Sequence, residues 1–412
     1  MASSLDYLRW RGDLSFKEKP FNSVDASLLS SVIYLPVDGS AINHTLGEAA
    51  EKLSKLPSFQ HQMHDETGAE VLLLTKSPRL GNITILDWTN KMEKDPYPLQ
   101  FSAATFRLNS NTIIIAYRGT DSSIIGWNED MNMSYMPKIY GQNVAAKYLN
   151  KIAKKFPDDR IYLLGHSKGG NFAQYSLSVA KPQIQDHVIK ALCFDGPGFF
   201  HKISSSSGFI RTISKMKTYL PEASVIGTML DHPERTLIVK STLPMRYQHD
   251  PRRWSVGRDS FVLAAGLTPG ARIMRHALIH FNNSIPEDKR SEMLSALFDA
   301  FENSDIKDVN QLTAHKIIGT YRLSRVIMSL DPKLRKVIIA IFTDIWNSYR
   351  KNMNLPLIEN GYDFYPKSND SKKAPVFFEF YDPANPNLKL PKSVEAKVNK
   401  KKGKSKKKDK KK

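Results

Sequence analysis

The chain has little of what would commit it to a membrane or to an oxidising compartment. It holds one cysteine, Cys193, in 412 residues, which excludes an intrachain disulfide framework and fits a cytoplasmic protein. No run approaches the ~18 apolar residues of a membrane-spanning helix, and Met1 to Gly12 lacks the apolar stretch of a secretory signal. No internal repeat is visible, and nothing in the residue spacing calls for a metal or a cofactor. Acid is scarce in one place. From Lys392 to Lys412 there are 12 Lys against Glu395 and Asp409, so this segment carries +10 of the total +19 and leaves +9 to residues 1–391. With no aromatic or branched residue after Val398, the segment cannot bury a core, and a disordered tail is expected. Such a tail serves solubility, or it attaches the protein electrostatically to nucleic acid or to an anionic membrane surface.

What is present is ample material for a core: 41% of the residues are hydrophobic. Residues 45–66 have an amphipathic helical pattern. Strand-like runs follow at Glu70 to Leu74, Ile83 to Trp88, Gln100 to Leu108 and Thr112 to Arg118, the last two joined by the turn Asn109-Ser110-Asn111. Val144, Tyr148, Ile152 and Phe156 recur at helical spacing. Further strands are predicted at Ile161–Leu164, Val188–Phe194, Ser224–Leu230 and Thr236–Lys240. Strands alternating with helices predict an α/β fold with a mostly parallel sheet and flanking helices. After about residue 265 the pattern turns helical. Ser284 and Glu287 form a capping box ahead of Leu294, Leu297, Phe298 and Phe301, and Asp331-Pro332 opens a stripe of Leu334, Val337, Ile338, Ile341, Phe342 and Ile345. The expected division is a catalytic domain over 1–265, a helical region over 266–354, a linker over 355–391 and the tail over 392–412.

One segment carries chemistry. Gly165-His166-Ser167-Lys168-Gly169-Gly170 follows the apolar run Ile161–Leu164 and opens a helix-like stretch from Asn171 to Ala180. A serine on a sharp turn between a buried strand and a helix presents its hydroxyl at the sheet edge, and the helix start supplies free N–H groups for a developing oxyanion. Serine needs a base, and the base needs a carboxylate to fix its tautomer. In chain order Asp231, after the run Ser224–Leu230, is the first choice of acid, and His249 is the base. Asp195, in Phe194-Asp195-Gly196-Pro197-Gly198, is the alternative acid. Asp250 reads as a turn former, His232 as a loop cap, and His166 as a structural neighbour inside the elbow. Lys168 matters here through its backbone N–H. A second oxyanion donor is expected after the buried strand Ile113–Tyr117, at Arg118-Gly119-Thr120-Asp121, where Thr120 offers its N–H and its hydroxyl.

These residues together resemble the class 3 lipase branch of the α/β-hydrolases, and most closely a bacterial lipase-like family of unassigned function (domain of unknown function 2974). Ala116-Tyr117-Arg118-Gly119-Thr120-Asp121 with Trp127 and Asp130 is similar to that branch's oxyanion block. The elbow is similar too, with Lys168 where lipases of the branch usually carry Leu. Phe194 to Phe199 and Gln248-His249-Asp250-Pro251 with Trp254 resemble two blocks of the bacterial family, and Asp6 to Asp25 fits its opening. The likeness spans roughly residues 5–265. It implies Ser167 as nucleophile, His249 as base, Asp231 as acid, and the N–H groups of Thr120 and Lys168 as oxyanion hole. The implied activity is hydrolysis of a lipid-derived ester or thioester, as in lipases, phospholipases and esterases, by a protein that is cytoplasmic or peripheral to a membrane. A catalytically inactive hydrolase fold that serves as an adaptor through its basic tail is the competing expectation. Ser122 to Tyr140, where lipases keep a lid, is rich in Met and Asn rather than cleanly amphipathic.

Overall fold

In a computed structural model the described residues are 1–272, apart from 63–65, 95–96, 122, 134–135, 242 and 244–246, together with scattered positions between 274 and 347. Contacts divide the chain into Met1–Tyr365 and Pro366–Lys412, and every described residue belongs to the first unit. The capping box at Ser284, the residues of both apolar stripes, the linker and the lysine tail lie outside the described residues.

Nine strands are described: β1 (Ala2–Ser3), β2 (Thr84–Glu93), β3 (Leu99–Asn109), β4 (Thr112–Tyr117), β5 (Arg160–His166), β6 (Val188–Phe194), β7 (Met216–Pro221), β8 (Arg235–Val239) and β9 (Ser255–Val256). β2 to β8 form one sheet in sequence order. β2, β3 and β4 run antiparallel, with the expected turn between β3 and β4, whereas β4 to β8 are all parallel. Six buried residues in a row, Thr-Ile-Ile-Ile-Ala-Tyr, make β4 a strand covered on both faces, as a parallel centre requires. Its side chains alternate accordingly. Ile114 and Ala116 join Leu164 and the helix Ser23–Val32 on one face, while Ile113 and Ile115 join Leu163 and the crossover helices Tyr140–Lys155 and Lys168–Val179 on the other. The fold is therefore an α/β-hydrolase type, with a mostly parallel sheet and flanking helices. Among the described residues no helix is long and apolar enough to cross a membrane.

Two runs differ from expectation. Residues 66–74 form a helix, not a strand: a short apolar run such as Val71-Leu72-Leu73-Leu74 carries no period of its own, and here Val71 and Leu74 bury the same face. The run Ser224–Leu230 is a loop with a 3₁₀ turn at Ile226–Thr228 and a left-handed Leu230 (φ 63°). The strand at this point is β7, whose apolar pattern Lys217 and Thr218 interrupt. Thr218 is nonetheless fully buried, because its hydroxyl donates to Glu234 and accepts from Gln174.

The amino-terminal segment is tied to the sheet by a buried ion pair. Arg79 donates to both carboxylate oxygens of Asp25 at 2.7 and 2.6 Å, and its other nitrogen reaches the carbonyls of Leu14 and Lys19. Asn22 caps the helix Ser23–Val32 by accepting from the N–H groups of Val24 and Asp25. β1 pairs with β9, and the Ser4 hydroxyl donates to the Pro251 carbonyl, so the amino terminus braces the loop that carries His249. Asp25→Ala leaves a buried guanidinium without its counter-charge. A loss of about 3–5 kcal/mol is expected, read as a lower urea midpoint at unchanged m-value.

Candidate active site

β5 ends at His166, and the chain then turns sharply. Ser167 sits at φ 56°, ψ −135° and the helix Lys168–Val179 begins at the next residue. A non-glycine residue at positive φ costs about 1–3 kcal/mol and persists only where its surroundings over-determine it. Here they do: the Ser167 N–H donates to the Phe194 carbonyl on the neighbouring β6 at 2.9 Å. Close approach of the helix demands glycine, since a Cβ on Gly169 would lie 2.1 Å from the Tyr117 carbonyl oxygen. The loop after β4 comes down on the same spot. A Cβ on Gly119 would stand 2.8 Å from the Ser167 Cβ and 2.6 Å from the His166 carbonyl oxygen, so Thr120 follows directly beside the elbow. The Thr120 hydroxyl donates to Asp130.

His249 lies beyond β8 on the loop that closes at Trp254, whose indole N–H donates to the Gln248 carbonyl at 2.6 Å. Its Nδ1 is 2.7 Å from Oδ2 of Asp195. Asp195 is fully buried at the end of β6, at φ 50°, with its N–H bonded to the Tyr219 carbonyl and its second carboxylate oxygen accepting from the Ser224 hydroxyl. The carboxylate on His249 is thus that of Asp195, the alternative acid, and not that of Asp231. Asp231 is turned elsewhere: its backbone exchanges hydrogen bonds with Phe199, and its charge interacts with Arg275. The physical reason is the missing strand at Ser224–Leu230. The segment expected to deliver Asp231 instead folds over Asp195 and gives it Ser224.

Burial works against a charge on His249, but the hydrogen bond and charge of Asp195, with Asp250 and Asp130 behind, outweigh it and raise the imidazole above its ordinary value. His166 goes the other way. Burial and the neighbouring His249 hold it down at about 3, so its ring is neutral. The Tyr34 hydroxyl lies 3.0 Å from its Nδ1, and its Nε2 is 2.7 Å from the His249 carbonyl oxygen. Since a carbonyl only accepts, Nε2 carries the proton and Nδ1 accepts from Tyr34. His166 therefore ties the elbow to the His249 loop, with the two rings 4.5 Å apart. Among the described contacts no hydrogen bond joins the Ser167 hydroxyl directly to His249. Catalytic hydrogen bonds commonly tighten only once substrate is bound.

His232 is buried against Glu234 and the Gly227 carbonyl, both at 2.7 Å, and so caps the loop that carries Ser224. Lys168 does more than offer an N–H: its ammonium is buried on Glu129 at 2.6 Å and on Gln100 at 3.2 Å. Tyr34, Ser224, Glu129 and Gln100 were not legible as site residues, because each reaches the site across the fold and not along a motif.

A family model described as Mbeg1-like matches residues 74–299, more than half of the chain. The chain belongs to the Mbeg1-like family. The matched region of this Mbeg1-like chain contains Thr120, Ser167, Asp195 and His249. Solved structures similar to it include the nonglycosylated LIP2 lipase of Yarrowia lipolytica, at 13% identity over 48% of this chain and 78% of that one, with a TM-score of 0.32. Lipase II from Rhizopus niveus gives 15% identity over 52% and 84%, with a TM-score of 0.31. M37 lipase gives 14% over 58% and 84%, with a TM-score of 0.34. With TM-scores that low, the fold of the Mbeg1-like chain rests on its own strand order. No curated protein matches it.

Proposed function

We propose that the chain is a serine hydrolase of carboxylic esters or thioesters, acting through an acyl-enzyme, with Ser167 as nucleophile, His249 as base and Asp195 as acid. The observation that carries this reading is the 2.7 Å bond between Asp195 and His249 Nδ1, on the loop that His166 ties to the strained Ser167 elbow. With its Nδ1–H given to Asp195, the imidazole keeps the lone pair of Nε2 for the serine proton. Ser167 Oγ attacks the carbonyl carbon, and the proton passes to His249. The oxyanion is met by the N–H groups of Lys168 and Thr120. The imidazolium, which Asp195 favours, then returns the proton to the leaving alcohol or thiol, and water repeats the sequence on the acyl-enzyme. An alcohol in place of water would turn the same intermediate to acyl transfer.

A lipid-derived acyl group is favoured by the apolar side chains of Met133, Met136, Ile139, Phe199, Phe200 and Leu230, which gather with Gln142 and Asn171 around a small hollow beside the elbow helix. Hydrolysis of p-nitrophenyl esters of increasing chain length tests the reading. Turnover that rises from acetate to longer acyl chains is expected, and no turnover at any length would refute it.

The tail favours a second reading, that of a non-catalytic adaptor on a polyanion, because +10 of the +19 charge is concentrated in Lys392–Lys412. Deleting residues 392–412 separates the two. The hydrolase reading expects turnover of a soluble ester to be unchanged. Affinity for phosphatidylserine vesicles should fall steeply at low salt, at about 1 kcal/mol per lysine near the surface. An adaptor would show that salt-dependent binding in the full chain with no turnover before or after deletion.

A further inference from the structure

Directly after the proposed nucleophile stands a lysine whose ammonium does not reach water. Lys168 is 1% exposed, as is Glu129, and their side chains meet at 2.6 Å. Gln100 Oε1 lies 3.2 Å from the same Nζ, Asp130 Oδ1 lies 3.5 Å away, and the Phe172 ring closes the far side at 5.9 Å. Glu129 also accepts from the Gln100 N–H. Burial alone would strip the ammonium of its proton, but Glu129 and Asp130 outweigh burial and hold it charged. One cation therefore serves two carboxylates, and the second of these, Asp130, accepts the hydroxyl of Thr120. An uncompensated carboxylate at that place would oppose any negative charge that develops at the Thr120 N–H.

We infer that Lys168 is a positioning residue for the oxyanion hole: its buried ammonium, set between Glu129 and Asp130 behind the Gly119–Thr120 turn, offsets one of their two charges, so that Thr120 is held by Asp130 against a weakened opposing field. This rests on the hydrolase reading. It gives a physical role to a charged side chain buried in the first turn of the elbow helix. Removing only Lys168 would leave buried charge and damage the fold, so the test removes the pair.

Lys168→Met with Glu129→Gln keeps the volume and leaves Asp130 uncompensated. The expected result is a folded protein with kcat for an activated ester down about thirtyfold at unchanged KM. Adding Asp130→Asn, which keeps an acceptor for Thr120, should restore most of that loss. A merely structural cluster would not be rescued by taking away a third polar partner. A kcat within twofold of wild type in the paired variant, a change confined to KM, or no rescue by Asp130→Asn would overturn the proposal. If the first pair does not fold, Lys168→Leu with Glu129→Leu removes the same charges in apolar form. A chain that folds with neither pair assigns the cluster to folding and overturns the proposal too. Wild-type protein without ester turnover would instead sink the hydrolase reading, before the cluster is tested.

Discussion

Asp195→Asn is expected to lower turnover of an activated ester about ten-thousandfold, the scale seen when the acid of a serine triad is replaced by its amide. The amide is nearly isosteric and keeps the loop in place. It can present its NH₂ to Nδ1 of His249, however, and that fixes the wrong tautomer and removes the charge that stabilises the imidazolium. A shift in pH dependence should accompany the loss. A general base works only when neutral, so activity is present above its pKa and falls away below it. Asp195 raises His249, so the acid limb of kcat/KM in the wild type should lie above ~6.5, the value of a free imidazole. In Asp195→Asn that limb should move to lower pH. Asp231→Asn should leave kcat within a few-fold and the limb unmoved, because Asp231 is bound to Phe199 through its backbone and does not touch the imidazole. A large loss in Asp231→Asn with little in Asp195→Asn would reverse the assignment of the acid.

Ser167→Ala should remove about a millionfold of turnover, the scale set by loss of a serine nucleophile. It should also abolish labelling by a fluorophosphonate. Ser167→Gly should be equally inactive but more stable. Serine at φ 56° carries backbone strain that glycine does not, so about 1 kcal/mol should be gained and seen as a higher urea midpoint. Stability and activity thus move in opposite directions at this one position. A residue strained for structural reasons alone would show the stability gain with no change in turnover.

The central frame was legible because it obeys short-range rules. β4 and β5 are continuous apolar runs, Asn109-Ser110-Asn111 closes a hairpin, and the strand–turn–helix around Ser167 follows from apolar residues, glycines and a helix start in sequence. His249 was legible as the candidate base by its place after β8. Asp195 was in view only as the alternative acid, because chain order favoured a carboxylate after a later strand. That preference depended on reading Ser224–Leu230 as extended. The burial of Ser224 against Asp195 is a contact between residues 29 apart, which no local pattern encodes. Tyr34 is more remote still, 132 residues from the His166 it contacts. Lys168 was hidden for a different reason: a lysine in the first turn of a helix usually points to water, and its partner Glu129 sits on the helix Ile124–Met133, in a segment whose composition gives no clear period. Propensity and spacing reveal strands and turns, whereas buried polar partnerships depend on which surfaces the fold brings together.

The most direct test is to incubate the full chain with a fluorophosphonate and locate the adduct by mass spectrometry of its peptides. A single adduct on Ser167, formed at neutral pH and slowed by several orders of magnitude in Asp195→Asn, is the predicted result. An adduct elsewhere, or none on a folded protein, would contradict the account.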